Sequence, residues 1–483
     1  MDITLDRIAP AGRRALAALA ELSGPARAAW LVGGALRELL SGGPVGDLDV
    51  AVAGGALELG PRLAARLEAR FVVLDAARGA GRIVGGPVDA DIDLVDLRAP
   101  TIEGDLRARD FTVNALAVPV EALLRHGHAA IIDPTGGLRD LHDRVVRPCA
   151  GTAIADDPLR ALRGARLAMR PGWGLDASAE AAIAAEAARV AGVAPERLRA
   201  ELAGILAGPA AARGLRLLDR LGVLEALLPE SRAMRLTAQP PPHRFDVWEH
   251  SLRAVEGVDA LLGELDALGP WGPALRGHLA EDLGDGLTRA EILKLAALLH
   301  DVAKPETRSE EAGRVRFIGH DAVGAGRAAG IAQRFRLSRH ASRVLERLVS
   351  EHLRPMHLAQ AGEITRRARF RFFRALGDDA RDLLLLTLAD ASGLAGDSPL
   401  AVWNGAGGRV VQTLMAGLEA EAAVATAPPL LRGEDVMAAF GLSPGPEVGR
   451  LLARAREAQA LGIVATGEEA LAYLRREPGP LEA

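Results

Sequence analysis

An apolar strand that runs into two glycines and a helix, with an aspartate pair about a dozen residues later, constrains this chain most. The segment reads Leu31-Val32-Gly33-Gly34-Ala35-Leu36-Arg37-Glu38, then Gly46-Asp47-Leu48-Asp49-Val50. Glycines at such a junction leave the first helical N–H groups free. They also let a phosphate come close, because no Cβ stands in the way. Residues i and i+2 of a strand project from one face, so Asp47 and Asp49 point the same way. Carboxylates held side by side repel unless cations sit between them, which suits divalent metals. Alone, the glycines read as a tight turn and the aspartates as a solvated strand end. Together, with apolar Leu48, Val50 and Val52 behind them, they point to a triphosphate and metal site.

A third carboxylate is expected from a neighbouring strand. Asp89, Asp91 and Asp93 share one face of Val88–Leu97, opposite Ile92 and Leu94. Asp93 is preferred and Asp91 is second; spacing alone does not decide. Strands are predicted at Ala29–Val32, Leu48–Val52, Phe71–Leu74 and Ile92–Val95, with helices near Arg13–Leu22 and Pro61–Ala69. Residues 1–148 therefore read as a head that mixes strands and helices.

The rest of the chain has another texture. Aromatic residues are only 3% of the 483, so Ala, Leu and Val must build the core, and Ala and Leu favour helices. Residues 149–232 read as a helical neck, and Pro240–Pro242 as a linker. Residues 243–395 are helical and carry most of the histidines. Residues 396–483 form a helical tail broken at Pro428-Pro429 and at Ser443-Pro444-Gly445-Pro446, with an amphipathic helix at Glu447–Leu461.

The net charge of −5 supplies no overall positive field, and only Lys294 and Lys304 are lysines. Any RNA surface must be a local arginine patch. The single cysteine, Cys149, excludes an internal disulfide and a cysteine-based zinc site. No signal-peptide core and no stretch of about 18 apolar residues occurs, so a cytoplasmic protein with no membrane partner is expected.

Two further groups carry chemistry. Asp157 and Arg160 are three apart, which on a helix makes them neighbours on one face. A carboxylate can accept from a base amino group while a guanidinium donates to ring nitrogens or carbonyls, so one such pair suits cytosine and adenine alike. Arg163, Arg166 and Arg170 continue the stripe. Downstream, His250, His300, Asp301, His320, His352 and Asp390 recur where helices could converge. Imidazoles with carboxylates and no thiolate suit Mn, Ni, Co, Fe or Mg rather than a structural zinc.

The head motifs resemble those of the class II tRNA nucleotidyltransferase and bacterial poly(A) polymerase family. Arg109-Asp110-Phe111-Thr112-Val113-Asn114-Ala115 is similar to its Arg-Asp-Phe-Thr-x-Asn-Ala signature. Asp133-Pro134-Thr135-Gly136-Gly137-Leu138-Arg139-Asp140-Leu141 resembles its hinge-like motif, and Asp156-Asp157-Pro158-Leu159-Arg160-Ala161-Leu162-Arg163 its nucleotide-selecting motif. The resemblance implies an α+β head of polymerase-beta type, followed by all-α neck, HD and tail domains. It implies CCA addition to tRNA from CTP and ATP, with Mg²⁺ held by Asp47, Asp49 and Asp93. Gly33, Gly34 and Arg37 would contact the triphosphate, while Arg109, Asp110 and Asn114 position sugar or phosphates. Asp157 and Arg160 would select the nucleotide, and Arg163 and Arg166 hold phosphates. Glu38 stands where Asp is common. Ala108 replaces a second arginine, a loss that Arg107 is placed to offset.

Arg197 and Arg199 resemble a family motif that supports the helix carrying Arg160. The run His243–His250 and Leu298-Leu299-His300-Asp301-Val302-Ala303-Lys304-Pro305 is similar to the HD phosphohydrolases. That resemblance implies metal ligation by His250, His300, Asp301 and Asp390, with His320 and His352 serving a second metal, and hydrolysis at RNA ends. The tail resembles that of tRNA nucleotidyltransferases with an internal HD domain, where Arg450, Arg454 and Arg456 could grip tRNA. CC-only, A-only or poly(A) addition stays open, as does an HD hydrolase using the head as an RNA-binding module. Oligomeric state is not legible.

Overall fold

The computed structural model describes residues 2–24, 27–43, 47–86, 91–418 and 428–476. Gly46, Val88 and Asp89, named above, lie outside the described residues. The chain divides into two compact units, one of Met1–Ile205 with Arg213–Leu227, the other of Leu206–Ala212 with Leu228–Ala483.

The first unit is built on α1 (Pro10–Ser23), β1 (Ala29–Val32), α2 (Gly33–Ser41), β2 (Leu48–Val52), α3 (Ala56–Arg66), β3 (Arg70–Asp75), β4 (Ala80–Val84), β5 (Ile92–Asp96) and β6 (Ala117–Pro119). These strands form one six-stranded sheet in the order β3-β4-β5-β2-β1-β6. Only the β2–β5 pair is parallel; the other pairings are antiparallel. Alternation sorts the side chains. Leu48, Val50, Val52, Ile92 and Leu94 turn inward to pack with Leu16 and Leu19 of α1 and Leu59 and Leu63 of α3. Each such fully buried side chain is worth roughly 1.5–3 kcal/mol against exposure. The residues between them, Asp49 and Asp93, are thereby aimed at the opposite face.

Helix α3 begins earlier than its proline suggested. Ala56, Leu59, Gly60, Leu63 and Ala64 are buried at helical spacing, and Pro61 lies inside the helix. Packing of that stripe outweighs the preference of proline for a first turn. Glu68, with φ 54°, adopts the left-handed conformation just beyond the helix end, before Ala69. Neck helices include α4 (Arg160–Ala168) and α5 (Pro195–Leu206).

The second unit is helical, with one hairpin of Arg308–Glu311 and Arg314–Phe317. Its frame comprises α6 (Val247–Gly263), α7 (Arg289–Leu299), α8 (His320–Arg334), α9 (Arg339–Glu351), α10 (Arg354–Gln360), α11 (Asp379–Ala395) and α12 (Arg409–Met415). Helix α7 is buried all round, from Ile292 to Leu299, as a central helix must be. Its buried Lys294 bonds Asp259 at 2.8 Å and the carbonyls of Leu206 and Gly208 at 2.7 and 2.8 Å. This ties Leu206–Ala212 to this unit and answers the charge that burial would otherwise penalise.

In the tail, α13 (Pro446–Ala460) packs on a small core of Leu431, Val436, Val448, Ala455, Ala458 and Leu474. No helix among the described residues is long and apolar enough to cross a membrane.

Candidate functional site

The glycine turn and the aspartates meet in one cleft of the first unit. Gly33 has φ 66°, a conformation that side chains oppose. A Cβ on Gly33 would sit 3.0 Å from Asp49 Oδ2, and one on Gly34 would sit 3.2 Å from it. The backbone thus wraps the carboxylate, and the Ala35 N–H donates to Asp49 Oδ2 at 3.0 Å. Parallel pairing sets Asp49 directly beside Asp93. Burial, reinforced by the nearby Asp93 charge, raises the Asp49 pKa. Two like charges on one face make this a place where a cation would be welcome. The acidic donor set fits Mg²⁺.

Asp47 lies just before β2, exposed, and lines the same cleft. Arg82 of β4 takes both oxygens of Asp93, at 2.7 and 2.8 Å, and approaches Asp91 at 3.7 Å. Sequence reasoning missed Arg82 because β4, Ala80-Gly81-Arg82-Ile83-Val84, shows little alternation. The Gly85-Gly86 turn after Ile83-Val84 was its one signal.

The cleft, about 610 Å³, is also lined by Arg37, Arg109, Asp110, Asn114, Arg160, Arg163 and Arg166. Arg37 donates to the Asn114 side chain and pairs with Glu38 at 2.8 Å. The longer Glu38 also accepts from Arg170. Asp105 holds Arg109 at 3.0 Å. Burial would push the Asp110 carboxyl up, but Arg163, with the Phe111 N–H and the Asn114 amide, holds it below the usual range. Arg163 and Arg166 both bond Glu201 of α5, at 2.9 and 3.0 Å. Arg107 is exposed and does not line the cleft. The cation nearby is Arg98, exposed, which lines this cleft and the next without an ion-pair partner among the described residues.

The expected shared helical face of Asp157 and Arg160 is not what forms. Arg160 opens α4, whereas Asp157 lies outside it in extended conformation (φ −148°, ψ 98°). Pro158 explains this, since a residue before proline is driven from helical geometry. Asp157 bonds Arg197 at 2.6 Å, and Arg160 donates to the Arg109, Ala153 and Ala108 carbonyls at 3.3, 3.2 and 3.3 Å. Asp157 and Arg160 both line an adjoining cleft of about 720 Å³.

In the second unit six residues gather in two groups, His250–His300–Asp390 and Asp301–His320–His352. Asp301 faces both: Oδ2 is 3.2 Å from His300 Nε2, and Oδ1 is 3.2 Å from His320 Nε2. Asp390 Oδ1 is 2.9 Å from His250 Nε2. The Nδ1 atoms of His300, His320 and His352 lie 2.8, 2.7 and 2.7 Å from backbone carbonyls, so each must donate there. Rings so fixed present bare Nε2 lone pairs whenever they are neutral. Those of His320 and His352 are 3.2 Å apart. Two lone pairs so close call for a cation beside them, which is how metal ligands are held. Burial lowers the His300 pKa, but Asp301 and Asp390 together push it up to about 10. Burial and the His300 charge hold His352 down at about 4. The tail arginines are engaged locally, Arg450 with Glu447 at 3.2 Å and Arg456 with Gln459 at 3.1 Å.

Comparison with known proteins places these sites in a wider setting. Residues 29–147 match the family model of the poly A polymerase head domain, residues 174–234 that of a probable RNA and SrmB-binding site of polymerase A, and residues 247–394 the HD domain. An A-adding tRNA nucleotidyltransferase of Deinococcus radiodurans is 37% identical over 93% of this chain and 95% of its own length. A CC-adding tRNA nucleotidyltransferase of Thermus thermophilus is 38% identical over 94% and 95%. The structure of a CCA-adding enzyme with ATP shares the fold at a TM-score of 0.65 and 18% identity, covering all of both chains.

Proposed function

The chain belongs to the tRNA nucleotidyltransferase family, and on that premise we propose that its head adds CMP and AMP, from CTP and ATP, to the 3′ end of tRNA without a template. A cytoplasmic location goes with that substrate. The observation that carries the reading is the convergence of the glycine turn, the Asp49–Asp93 pair and the arginine-rich wall on one cleft. Asp47 and Asp49, with Asp93, would hold Mg²⁺, which when bound favours ionisation of the RNA 3′-hydroxyl and offsets the charge of pyrophosphate.

The remaining work falls to the chain itself. Gly33 and Gly34 offer close backbone approach to a triphosphate, with Arg37 beside them. Asp110, kept ionised and bonded to Asn114 at 3.2 Å and Arg163 at 3.0 Å, orients the sugar with Arg109. Arg163 and Arg166, braced by Glu201, receive phosphates. Asp157, braced by Arg197, offers acceptors and Arg160 offers donors to the base. Cytosine and adenine each set an amino group beside a ring acceptor, so one pair serves both.

A second reading, addition of only CC or only A, is favoured by one observation. Four relatives matched over more than nine-tenths of the chain are partial enzymes, one A-adding and three CC-adding. Incubating tRNA lacking CCA, and tRNA ending in CC, with CTP, ATP or both separates the readings when products are sized to one nucleotide. Three added residues from both nucleotides support full addition. Two from CTP with no further growth, or one from ATP on the CC end alone, identify a partial enzyme. Long adenylate tails, or no growth, overturn the proposal.

For the second unit we read the six-residue cluster as a divalent-metal site that hydrolyses a phosphate ester. Metal analysis of the purified protein, and its loss in His300→Ala, test that reading.

A further inference from the structure

A cavity of about 1030 Å³ opens beside the histidine–aspartate cluster, with Asp301, Lys304, His320, His352 and Asp390 in its wall. This is the upper end of the range of small-molecule pockets. The rest of the lining is of another kind. Ile318, Leu353, Met356, Ile364, Leu394 and Val410 make it aliphatic. Ile318 is 72% exposed and Met356 42%, so this apolar surface is open to a ligand.

Several lining groups that could read a nucleobase are already engaged, His243 among them, its Nδ1 3.3 Å from the Pro240 carbonyl. The hydroxyls of Thr387 and Thr413 donate to carbonyls of their own helices, those of Leu383 and Arg409, each at 2.8 Å. The cavity also offers a polyanion little net field away from the cluster. Arg316 pairs with Glu311 at 3.3 Å, and Arg409 shares the lining with Glu363. Polarity is thus concentrated at the end where Lys304 stands 2.6 Å from Asp301.

We propose that this cavity binds the phosphate monoester of an aliphatic alcohol, its phosphate at the histidine–aspartate end and its chain along the apolar wall. The inference rests on the hydrolytic reading of the cluster, and it names a substrate class other than an RNA end. Water would supply the new P–O bond, the ester P–O bond would break, and the alkoxide oxygen would leave protonated as the alcohol, with inorganic phosphate as the other product.

Isothermal titration of the full-length Mn²⁺-loaded protein with methyl-, butyl-, hexyl- and octylphosphonate tests the cavity without requiring turnover. Each buried methylene should tighten binding by about fourfold. Met356→Glu, at a position exposed enough to tolerate charge, should flatten that dependence. A Kd independent of chain length, or a nucleoside 3′-monophosphate binding more tightly than octylphosphonate, would overturn the proposal. Hydrolysis of p-nitrophenyl phosphate, compared with His300→Ala, reports separately on the hydrolytic reading. Turnover without chain-length dependence sinks the aliphatic substrate alone. Chain-length dependence without turnover sinks the hydrolase and, with it, the substrate assignment.

Discussion

The head cleft and the histidine cluster both concentrate charge, but they stabilise it in opposite ways. In the head, Asp47 is exposed and Asp93 is only partly buried, and each arginine that lines the cleft remains partly open to solvent. In the second unit, His250, His300, Asp301, His320 and His352 are each 5% exposed or less. Exposed charges such as Asp47 can wait for a ligand at little conformational cost, because water attends them meanwhile, whereas Asp110, buried in the same wall, is already held by Arg163. Buried charges must be answered at once by partners, here by carbonyls, Lys304 and each other. Substitutions in the head should therefore remove chemistry and spare stability, while those in the cluster should remove metal and stability together.

The largest expected effect is the sharpest test of this contrast. Asp49→Asn should lower nucleotide incorporation by about 10³-fold or more, since it removes the charge around which the site is built. Hydrolysis of p-nitrophenyl phosphate by the same preparation should be unchanged, and the melting temperature nearly so. Loss of both activities would break the separation between the two sites. Next in size is metal removal. Chelation should destabilise the second unit, by about 2.7 kcal/mol where free metal had stood at 100 times its Kd. His352→Ala should lower the bound metal measured by plasma mass spectrometry. Incorporation assayed with added Mg²⁺ should survive both treatments.

Much of the contrast was legible in the sequence, for reasons that differ by region. The strands carrying Asp49 and Asp93 alternate cleanly, so their faces could be assigned before any partner strand was known. The histidines stand at helix ends, where side chains from distant segments meet, and their grouping was expected. Asp157 was misplaced because helical spacing was read without weighing Pro158, which holds its neighbour extended. Arg82 was missed for a deeper reason than weak alternation. An arginine in a short strand carries no local mark of its carboxylate, and Asp93 reaches Arg82 only through the β4–β5 pairing. Sequence patterns reported what each strand would bury; they did not report which neighbour it would find.

Arg82 gives the third prediction, smaller than the first two. It grips both oxygens of Asp93 without being among the metal-ligand candidates, so it acts by positioning. Arg82→Gln should cost about 10–100-fold in activity and raise the Mg²⁺ concentration needed for half-maximal rate. Arg82→Lys should recover only part, because a point charge cannot match a two-pronged guanidinium. An unchanged Mg²⁺ requirement would show that Asp93 is held well enough without it.

The smallest effect compares one helix cap from each region. Thr101 caps Ile102–Arg107 in the head by accepting from the Gly104 N–H at 3.2 Å. Thr288 caps α7 in the second unit within a reciprocal box with Glu291, whose carboxylate accepts from the Thr288 N–H at 2.5 Å. Replacing either threonine by alanine should destabilise by about 1 kcal/mol, read as a shifted urea midpoint with an unchanged slope. The consequences for function should part company. The helix behind Thr101 carries Asp105, which holds Arg109 in the nucleotide cleft at 3.0 Å, so Thr101→Ala should raise the KM for nucleotide by a few-fold. Helix α7 ends at His300 after two turns of packed aliphatic residues, and that packing holds its far end in place whatever happens at the cap. Thr288→Ala should leave metal content and phosphate-ester hydrolysis unchanged; loss of either would mean that the cluster depends on its supporting helix as closely as the open cleft depends on its own.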